Sequence, residues 1–327
     1  MIIETKNLTK TYKLFEKEAG LRGSIKSLLR RQFTYKTALS NFDFTVNEGE
    51  FIGLIGPNGA GKTTLVKMMT GIIAKTSGEI SVMGFYPNKL ENAFKKQYAV
   101  VMGQKSQLFF ELTASDTFLL FKELYGIPEE EYQNNMSYFI KLFGVEELLN
   151  VQVRTLSLGE RMKMELIVAL LHNPRVLFLD EPTIGLDAVA QRQIRSFLKE
   201  VNEEKGTTII LTSHYMEDIQ SLCKRCVVVN HGEKIYDGDT DQLFQQYRTH
   251  KKITLFFAEE TDFRLPDHCI PVEQNPLKAV FMVPVSASQE IITVLMAQHV
   301  LSDITIEEDE IGSVVERIYE GRRAKAE

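Results

Sequence analysis

Gly56-Pro57-Asn58-Gly59-Ala60-Gly61-Lys62-Thr63-Thr64 is a complete GxxxxGK[ST] loop, set between the apolar run Phe51 to Ile55 and a helix-like segment from Leu65 to Thr70. Glycines allow such a backbone to curl so that successive N–H groups turn inward, where a Cβ would obstruct an approaching phosphate. In this pattern Lys62 reaches the β- and γ-phosphates of a nucleoside triphosphate and the Thr63 hydroxyl holds Mg²⁺. The helix that follows offers its positive end to the same anion. The strand, loop and helix context sets the motif apart from an accidental glycine-rich turn, and predicts an α/β fold built around a phosphate-binding loop.

A second strand carries acids. Arg175-Val176-Leu177-Phe178-Leu179-Asp180-Glu181-Pro182 is a short apolar run ending in two carboxylates. It suits a buried parallel strand that delivers both groups at its C-terminal edge. There Asp180 supports Mg²⁺ and Glu181 positions and deprotonates the attacking water. Leu156-Ser157-Leu158-Gly159-Glu160 lies upstream, and Gly185-Leu186-Asp187 lies downstream. Thr212-Ser213-His214 closes another apolar strand, Thr207 to Leu211, and Gln104 ends the segment Val101-Met102-Gly103-Gln104.

In this order the segments resemble the ATP-binding cassette (ABC) ATPases, a P-loop NTPase family, from about Met1 to Gly238. The sequence offers an aromatic, a phosphate loop, a glutamine loop, a signature, an Asp-Glu strand, a D-loop and a switch histidine. The resemblance implies Tyr12 under the adenine, Gln104 as a Mg²⁺ and water contact, and His214 as the γ-phosphate switch. It implies ATP held by Gly56 to Thr64 of one subunit and by Ser157, Gly159 and Glu160 of a second, so that the protein works as a dimer with itself or with a paired cassette. The whole pattern is most similar to ATPase subunits of bacterial exporters whose permease subunits are separate chains. Polysaccharide exporter ATPases, which can carry an extension after the first strand and a β-containing tail, are the alternative within transport. A soluble cassette protein acting on ribosomes or DNA is the alternative outside it. Those proteins usually carry two cassettes or long coiled-coil insertions, whereas this chain has one cassette and no sustained heptads.

The signature departs from the family's Leu-Ser-Gly-Gly-Gln at Leu158 and Glu160. Ser157-x-x-Glu160 is also a capping box opening the helical run Arg161 to Leu171. The two readings are compatible if the Glu160 charge turns back into the cap.

Composition fits this picture. The chain has 327 residues, 44% apolar and 25% charged, with a net charge of −6. An acidic balance argues against a general nucleic-acid binder. No apolar run approaches the ~18 residues of a membrane span, and the start, Met-Ile-Ile-Glu-Thr-Lys, lacks a signal-peptide pattern. The expected place is therefore peripheral, on the cytoplasmic face of the membrane. Cys223 and Cys226 form one CxxC, which His268 and Cys269 could extend toward a zinc set. Their place in apolar helix and strand patterns favours small buried side chains instead. His172, His231, His250 and His299 have no ligand-like neighbours.

The chain divides into an ATPase domain, 1–247, and an accessory α+β domain, 248–327, of about eighty residues, near the lower end of independently folding size. Residues 14–35 interrupt the first strands as a basic amphipathic insert. Leu21, Ile25, Leu28, Leu29 and Phe33 fall on one side of a helical projection, flanked by Arg22, Lys26, Arg30 and Arg31. The segment either contacts an anionic membrane or the permease, or packs on the domain's own sheet with its basic side solvated. The cassette core runs to about Gly84 and restarts near Ser157. Residues 113–153 form a helical subdomain, with Phe118, Leu119, Phe121 and Leu124, then Tyr138, Phe139, Leu142 and Phe143, at helical spacing. In the family this insert faces the membrane partner. Beyond Tyr247, strands at Ile253 to Leu255 and Ala279 to Val283, a helix from about Ser288, a strand at Ile304 to Ile306 and a helix bearing Ile311, Val314, Val315 and Ile318 are expected.

Overall fold

The computed structural model describes residues 1–16, 32–103, 105–213, 215–247 and 250–308. Its strands up to Asp239 are β1 (Ile3–Glu16), β2 (Gln32–Val46), β3 (Phe51–Ile55), β4 (Ser77–Val82), β5 (Tyr98–Met102), β6 (Val176–Asp180), β7 (Thr208–Thr212), β8 (Arg225–Asn230) and β9 (Glu233–Asp239). Six of them form one sheet in the order β5-β6-β7-β3-β8-β9, parallel except for the β8–β9 pair. β3 and β7 are buried along their whole length, and β6 is buried up to Asp180. Continuous apolar runs are what strands covered on both faces require. β2, β1 and β4 form a second, antiparallel sheet.

The loop 56–61 feeds helix α1 (Lys62–Met69), whose Leu65, Val66, Met68 and Met69 are buried. They share a core with Ile3, Leu8, Phe42 and Phe44 from the antiparallel sheet and Ile52, Leu54, Val227 and Val229 from the six-stranded one. Each such side chain contributes about 1.5–3 kcal/mol on burial. This double packing fixes the start of α1 relative to both sheets.

Further helices are α2 (Asn92–Lys95), α3 (Ala114–Tyr125), α4 (Glu129–Phe143), α5 (Leu158–Leu170), α6 (Ala188–Lys205) and α7 (Met216–Leu222). α3 starts in a capping box of Thr113 and Asp116 and stops at Gly126, whose φ of 66° suits a residue without Cβ. α4 places Glu129, Glu130 and Glu131 in its first turn, against the positive helix end. Phe118, Phe139 and Phe143 are buried, and Phe143 stacks on Phe197 of α6 with ring centroids 3.7 Å apart. Leu119, Leu120 and Leu124 are instead exposed, as are Phe109, Phe110 and Leu112.

Two expectations are corrected. The 14–35 insert is not helical at its ends: β1 continues to Glu16 and β2 begins at Gln32, with Lys13 opposite Tyr35 and Leu14 opposite Thr34. Phe33 lies under the Lys13 ammonium at 3.8 Å rather than on a helix face. Aromatic and threonine residues at 33–37 favour a strand, and cross-strand pairing overrides the helical spacing of Phe33. Leu21, Arg22, Ile25, Lys26, Leu28, Leu29, Arg30 and Arg31 lie outside the described residues. The core also does not pause from Gly84 to Ser157, because β5 is the edge strand of the main sheet.

Two compact units are formed, Met1–Asp239 and Thr240–Glu327. The second contains α8 (Thr240–Tyr247), β10 (His250–Phe257), β11 (Ile270–Asn275), β12 (Lys278–Pro284), α9 (Ser288–Gln298) and β13 (Leu301–Glu308). Its antiparallel sheet has the order β11-β12-β10-β13. Ile253, Leu255, Phe263, Phe281 and Leu295 are buried in its core. The segment bearing Ile311, Val314, Val315 and Ile318 lies outside the described residues.

Candidate nucleotide-binding site

Parallel register brings the ends of four strands level. Leu54 pairs with Thr212, Thr212 with Asp180, and Asp180 with Met102. The phosphate-binding loop therefore leaves β3 beside the acids of β6. Gly56 is required there because a Cβ would lie 2.4 Å from the Val229 carbonyl oxygen. Gly61 combines a φ of 114° with a Cβ position 2.6 Å from the Ala38 carbonyl oxygen, which excludes any other residue. α1 has no side-chain cap at this end. Lys62 is buried, and its Nζ donates to the carbonyls of Gly56 at 2.5 Å and Pro57 at 3.2 Å. Burial pulls its ammonium below the usual lysine value, against the opposing pull of the Glu181 and Asp180 carboxylates.

Thr63 donates from its hydroxyl to both Asp180 carboxylate oxygens, at 3.2 and 3.0 Å. Thr212 donates to Asp180 Oδ1 at 2.6 Å. Thr63 and Asp180 thus offer adjacent hard oxygen donors, the chemistry a Mg²⁺ ion takes. The backbone N–H of Glu181 reaches the Thr212 carbonyl at 3.0 Å and its hydroxyl at 3.1 Å. Glu181 has a φ of 56°, an uncommon conformation for a residue with a Cβ, and these bonds help hold it.

Tyr12 stands near the far end of the loop, its hydroxyl 3.5 Å from Thr64 Oγ1 and its ring 5.1 Å from Lys10 Nζ. At the start of α5 the Ser157 N–H donates to Glu160 Oε2 at 2.8 Å and the Glu160 N–H to Ser157 Oγ at 3.3 Å. The Ser157 backbone N–H, with its hydroxyl, holds the Glu160 carboxyl below the usual carboxylate range. At Gly159 a Cβ would sit 2.9 Å from Ala190 Cβ, so its absence lets α5 approach the first turn of α6. That turn is capped by Asp187, which accepts from the N–H groups of Val189 and Ala190. Gln104 and His214 lie outside the described residues. Thus the loop 56–64, Asp180 and Glu181 are brought together, with Tyr12 beside Thr64.

Sequence reasoning missed three contributors. Thr212 was visible only as part of a motif, not as the hydroxyl that links Asp180 to Glu181. Gly103 approaches so closely that a Cβ would lie 2.2 Å from the Glu181 carbonyl oxygen. Asp218, fully buried, accepts from Thr183 Oγ1 at 2.5 Å, Ser213 Oγ at 2.7 Å and Arg195 Nη1 at 2.8 Å. It joins the segment after Glu181 to the residue before His214. Cys223 and Cys226 are both buried thiols, and burial pushes the Cys223 thiol up.

Residues 39–184 match the family described as ABC transporter. The linearmycin resistance ATP-binding protein LnrL of Bacillus subtilis is 34% identical over 215 residues, which cover 66% of this chain and 68% of that one. The methionine import ATP-binding protein MetN 2 of Enterococcus faecalis is 30% identical over 254 residues, covering 75% and 73% respectively. Among solved structures, a dimeric ATP-binding cassette in a post-hydrolysis state, bound to ADP and Pi, aligns with a TM-score of 0.59 and 26% identity, covering 73% of this chain and 98% of that one.

Proposed function

Because this chain belongs to the ATP-binding proteins of the ABC transporters, we propose that it is the ATPase of an exporter whose permease subunits are separate chains. It binds and hydrolyses ATP. The observation that carries the assignment of roles is the single network in which Thr63, Asp180, Thr212 and the Glu181 backbone meet beside the phosphate-binding loop.

Within that network Lys62 exchanges the Gly56 and Pro57 carbonyls for the β- and γ-phosphate oxygens, a stronger, charge-assisted partnership. Thr63 and Asp180 would hold Mg²⁺, which when bound neutralises charge on the phosphates. Glu181 takes the proton of the attacking water, with its backbone fixed by Thr212. Tyr12 lies where the adenine stacks, and Gln104 and His214 add the Mg²⁺, water and γ-phosphate contacts of the family. Ser157, Gly159 and Glu160 meet the nucleotide of a second subunit, an arrangement supported by the dimeric relative. Closing of the dimer on two ATP molecules drives the permease, and hydrolysis reopens it.

The exposed side chains of Phe109, Phe110, Leu119, Leu120 and Leu124 are assigned to the permease contact, on the cytoplasmic face of the membrane. No helix among the described residues is long and apolar enough to cross a membrane. Export is favoured by the resistance protein among the relatives, and import by the methionine importer. ATP-driven uptake of cargo into inside-out vesicles containing the copurified permease supports export, and uptake only into right-side-out vesicles overturns it. For the chemistry, Glu181→Gln keeps size and hydrogen bonding but removes the base. Hydrolysis should fall by about 10²–10⁴-fold, while Mg-ATP still binds and the protein accumulates as a dimer in gel filtration. Wild-type turnover removes Glu181 from the reaction.

A further inference from the structure

Two turns beyond Ser157, helix α5 buries a carboxylate. Glu165 is 3% exposed and accepts from the Ser106 hydroxyl, from the Gln107 N–H at 2.9 and 3.1 Å and from the Leu108 N–H at 3.4 Å. Arg161, one turn earlier, lies with its guanidinium 5.4 Å from the Phe110 ring centre. Residues 106–110 therefore ride on the helix that carries the signature. None of these bonds belongs to the helix ladder: the Glu165 carboxylate is spent on the backbone and hydroxyl donors of 106–108.

The same segment is fastened at its other end to the acids. Gly103 donates its N–H to the Asp180 carbonyl at 2.9 Å. A Cβ at Gly103 would lie 2.2 Å from the Glu181 carbonyl oxygen and 3.1 Å from Ile184 Cγ2. Between the two ends the Lys105 N–H closes a turn onto the Met102 carbonyl at 2.9 Å. The Gln107 side-chain amide donates to the Val100 carbonyl at 2.9 Å. The contacts on both sides of position 104 are thus fixed by backbone and by Glu165.

We propose that Glu165 is a positioning residue of the ATPase, linking helix α5 through residues 105–108, and through their bonds to the Met102 and Val100 carbonyls, to Gly103 and the backbone of Glu181. The proposal rests on Glu181 being the base. A shift of α5, with Ser157 at its tip, is then transmitted to Gly103, which has no side chain to absorb it and presses on the Glu181 peptide. The carboxylate suits this work because it accepts from three successive residues at once. All three donate to Oε1 and the Gln107 N–H also to Oε2, so an amide in its place loses the charge and turns an NH2 donor toward the Gln107 N–H.

Glu165→Gln tests the link in the full chain. Steady-state hydrolysis should show kcat reduced about tenfold with KM for ATP within about twofold, since misplacement of a reacting group by a fraction of an ångström costs rate rather than binding. Gly103→Ala displaces the Glu181 backbone directly and should cost at least as much. The double variant decides the route: a loss no greater than that of Gly103→Ala alone supports one shared path, whereas multiplied losses mean independent effects and overturn the proposal. An unchanged kcat in Glu165→Gln overturns it as well. Thermal unfolding and Mg-ATP titration of each variant separate misfolding from misplacement. Should Glu165→Gln not fold, Ser106→Ala removes one donor only, and kcat unaltered there is the refuting result. Glu181→Gln runs beside them. If it turns over normally, the role of Glu181 fails; if it is inactive while Glu165→Gln is normal, only the link fails.

Discussion

The helices that follow the phosphate-binding loop and the signature begin in opposite states. α1 is entered through Gly61, in a left-handed conformation, with no side-chain cap and no acid in its first turn. α5 is entered through Ser157, which completes a capping box with Glu160. Both helix ends carry the same partial positive charge. In α1 the first-turn N–H groups are left for a ligand, whereas in α5 the side chains of Ser157 and Glu160 already claim two N–H groups and add a negative charge. On the proposed roles, affinity for the triphosphate resides in the phosphate-binding loop. On the same proposal the signature adds a contact that matters once a second subunit has closed over the anion.

The largest expected effect tests the first half of this contrast. Lys62→Ala removes the only side-chain charge of the loop while leaving α1 uncapped. With charge-assisted hydrogen bonds worth about 1.5–3 kcal/mol, ATP affinity should fall by about 10–100-fold. Fluorescence titration with a labelled nucleotide measures it, and affinity equal to the wild type would mean that the bare helix end alone accounts for binding.

Much of this contrast could be read from residues before any contact was known. GxxxxGK[ST] is recognised by its spacing alone, although the atoms that Gly56 and Gly61 must avoid belong to Val229 and Ala38, and Ser157-x-x-Glu160 caps its helix through neighbours three residues apart. The contacts that escaped are those made across strands. Thr212 reaches Asp180 only because β6 and β7 run in register, and Asp218 meets Thr183, Ser213 and Arg195 from three separate segments. Gly103 could be read only as the neighbour of Gln104: its need for hydrogen in place of Cβ comes from Glu181, far along the chain. Gly159 was legible as a glycine of the signature but not as the point where α5 meets Ala190. The start of β2 was misread because apolar residues at helical spacing upstream drew Phe33 into the same face. Pairing with β1 decides that stretch instead.

The second half of the contrast is broken at Ser157. Ser157→Ala should lower stability by about 0.5–2 kcal/mol as a lost cap, seen as a lower denaturation midpoint. It should also lower hydrolysis per folded molecule, since the hydroxyl is proposed to serve the nucleotide of the partner subunit. Loss of stability with unchanged turnover would reduce Ser157 to a cap, and the two helix ends would then differ in function altogether rather than in degree.

The smallest effect sharpens the contrast most, because it changes charge without changing geometry. Glutamine serves in a capping box as well as glutamate, so Glu160→Gln keeps the helix start closed and removes only the carboxylate charge. Turnover should stay near the wild-type value or rise, since an anion near phosphate is lost, and a large fall would assign Glu160 a specific part in the reaction. The same variant carries a pH signature. The Ser157 N–H and hydroxyl depress the Glu160 pKa in the folded state, so the unfolded chain binds the proton more readily. The stabilisation is present above the unfolded glutamate value and disappears as pH falls through the lower folded value. Denaturation midpoints measured from neutral pH down to that acid range should therefore decline less steeply in Glu160→Gln than in the wild type. Parallel declines would mean that the carboxylate serves the cap as a hydrogen-bond acceptor and contributes nothing to it as a charge.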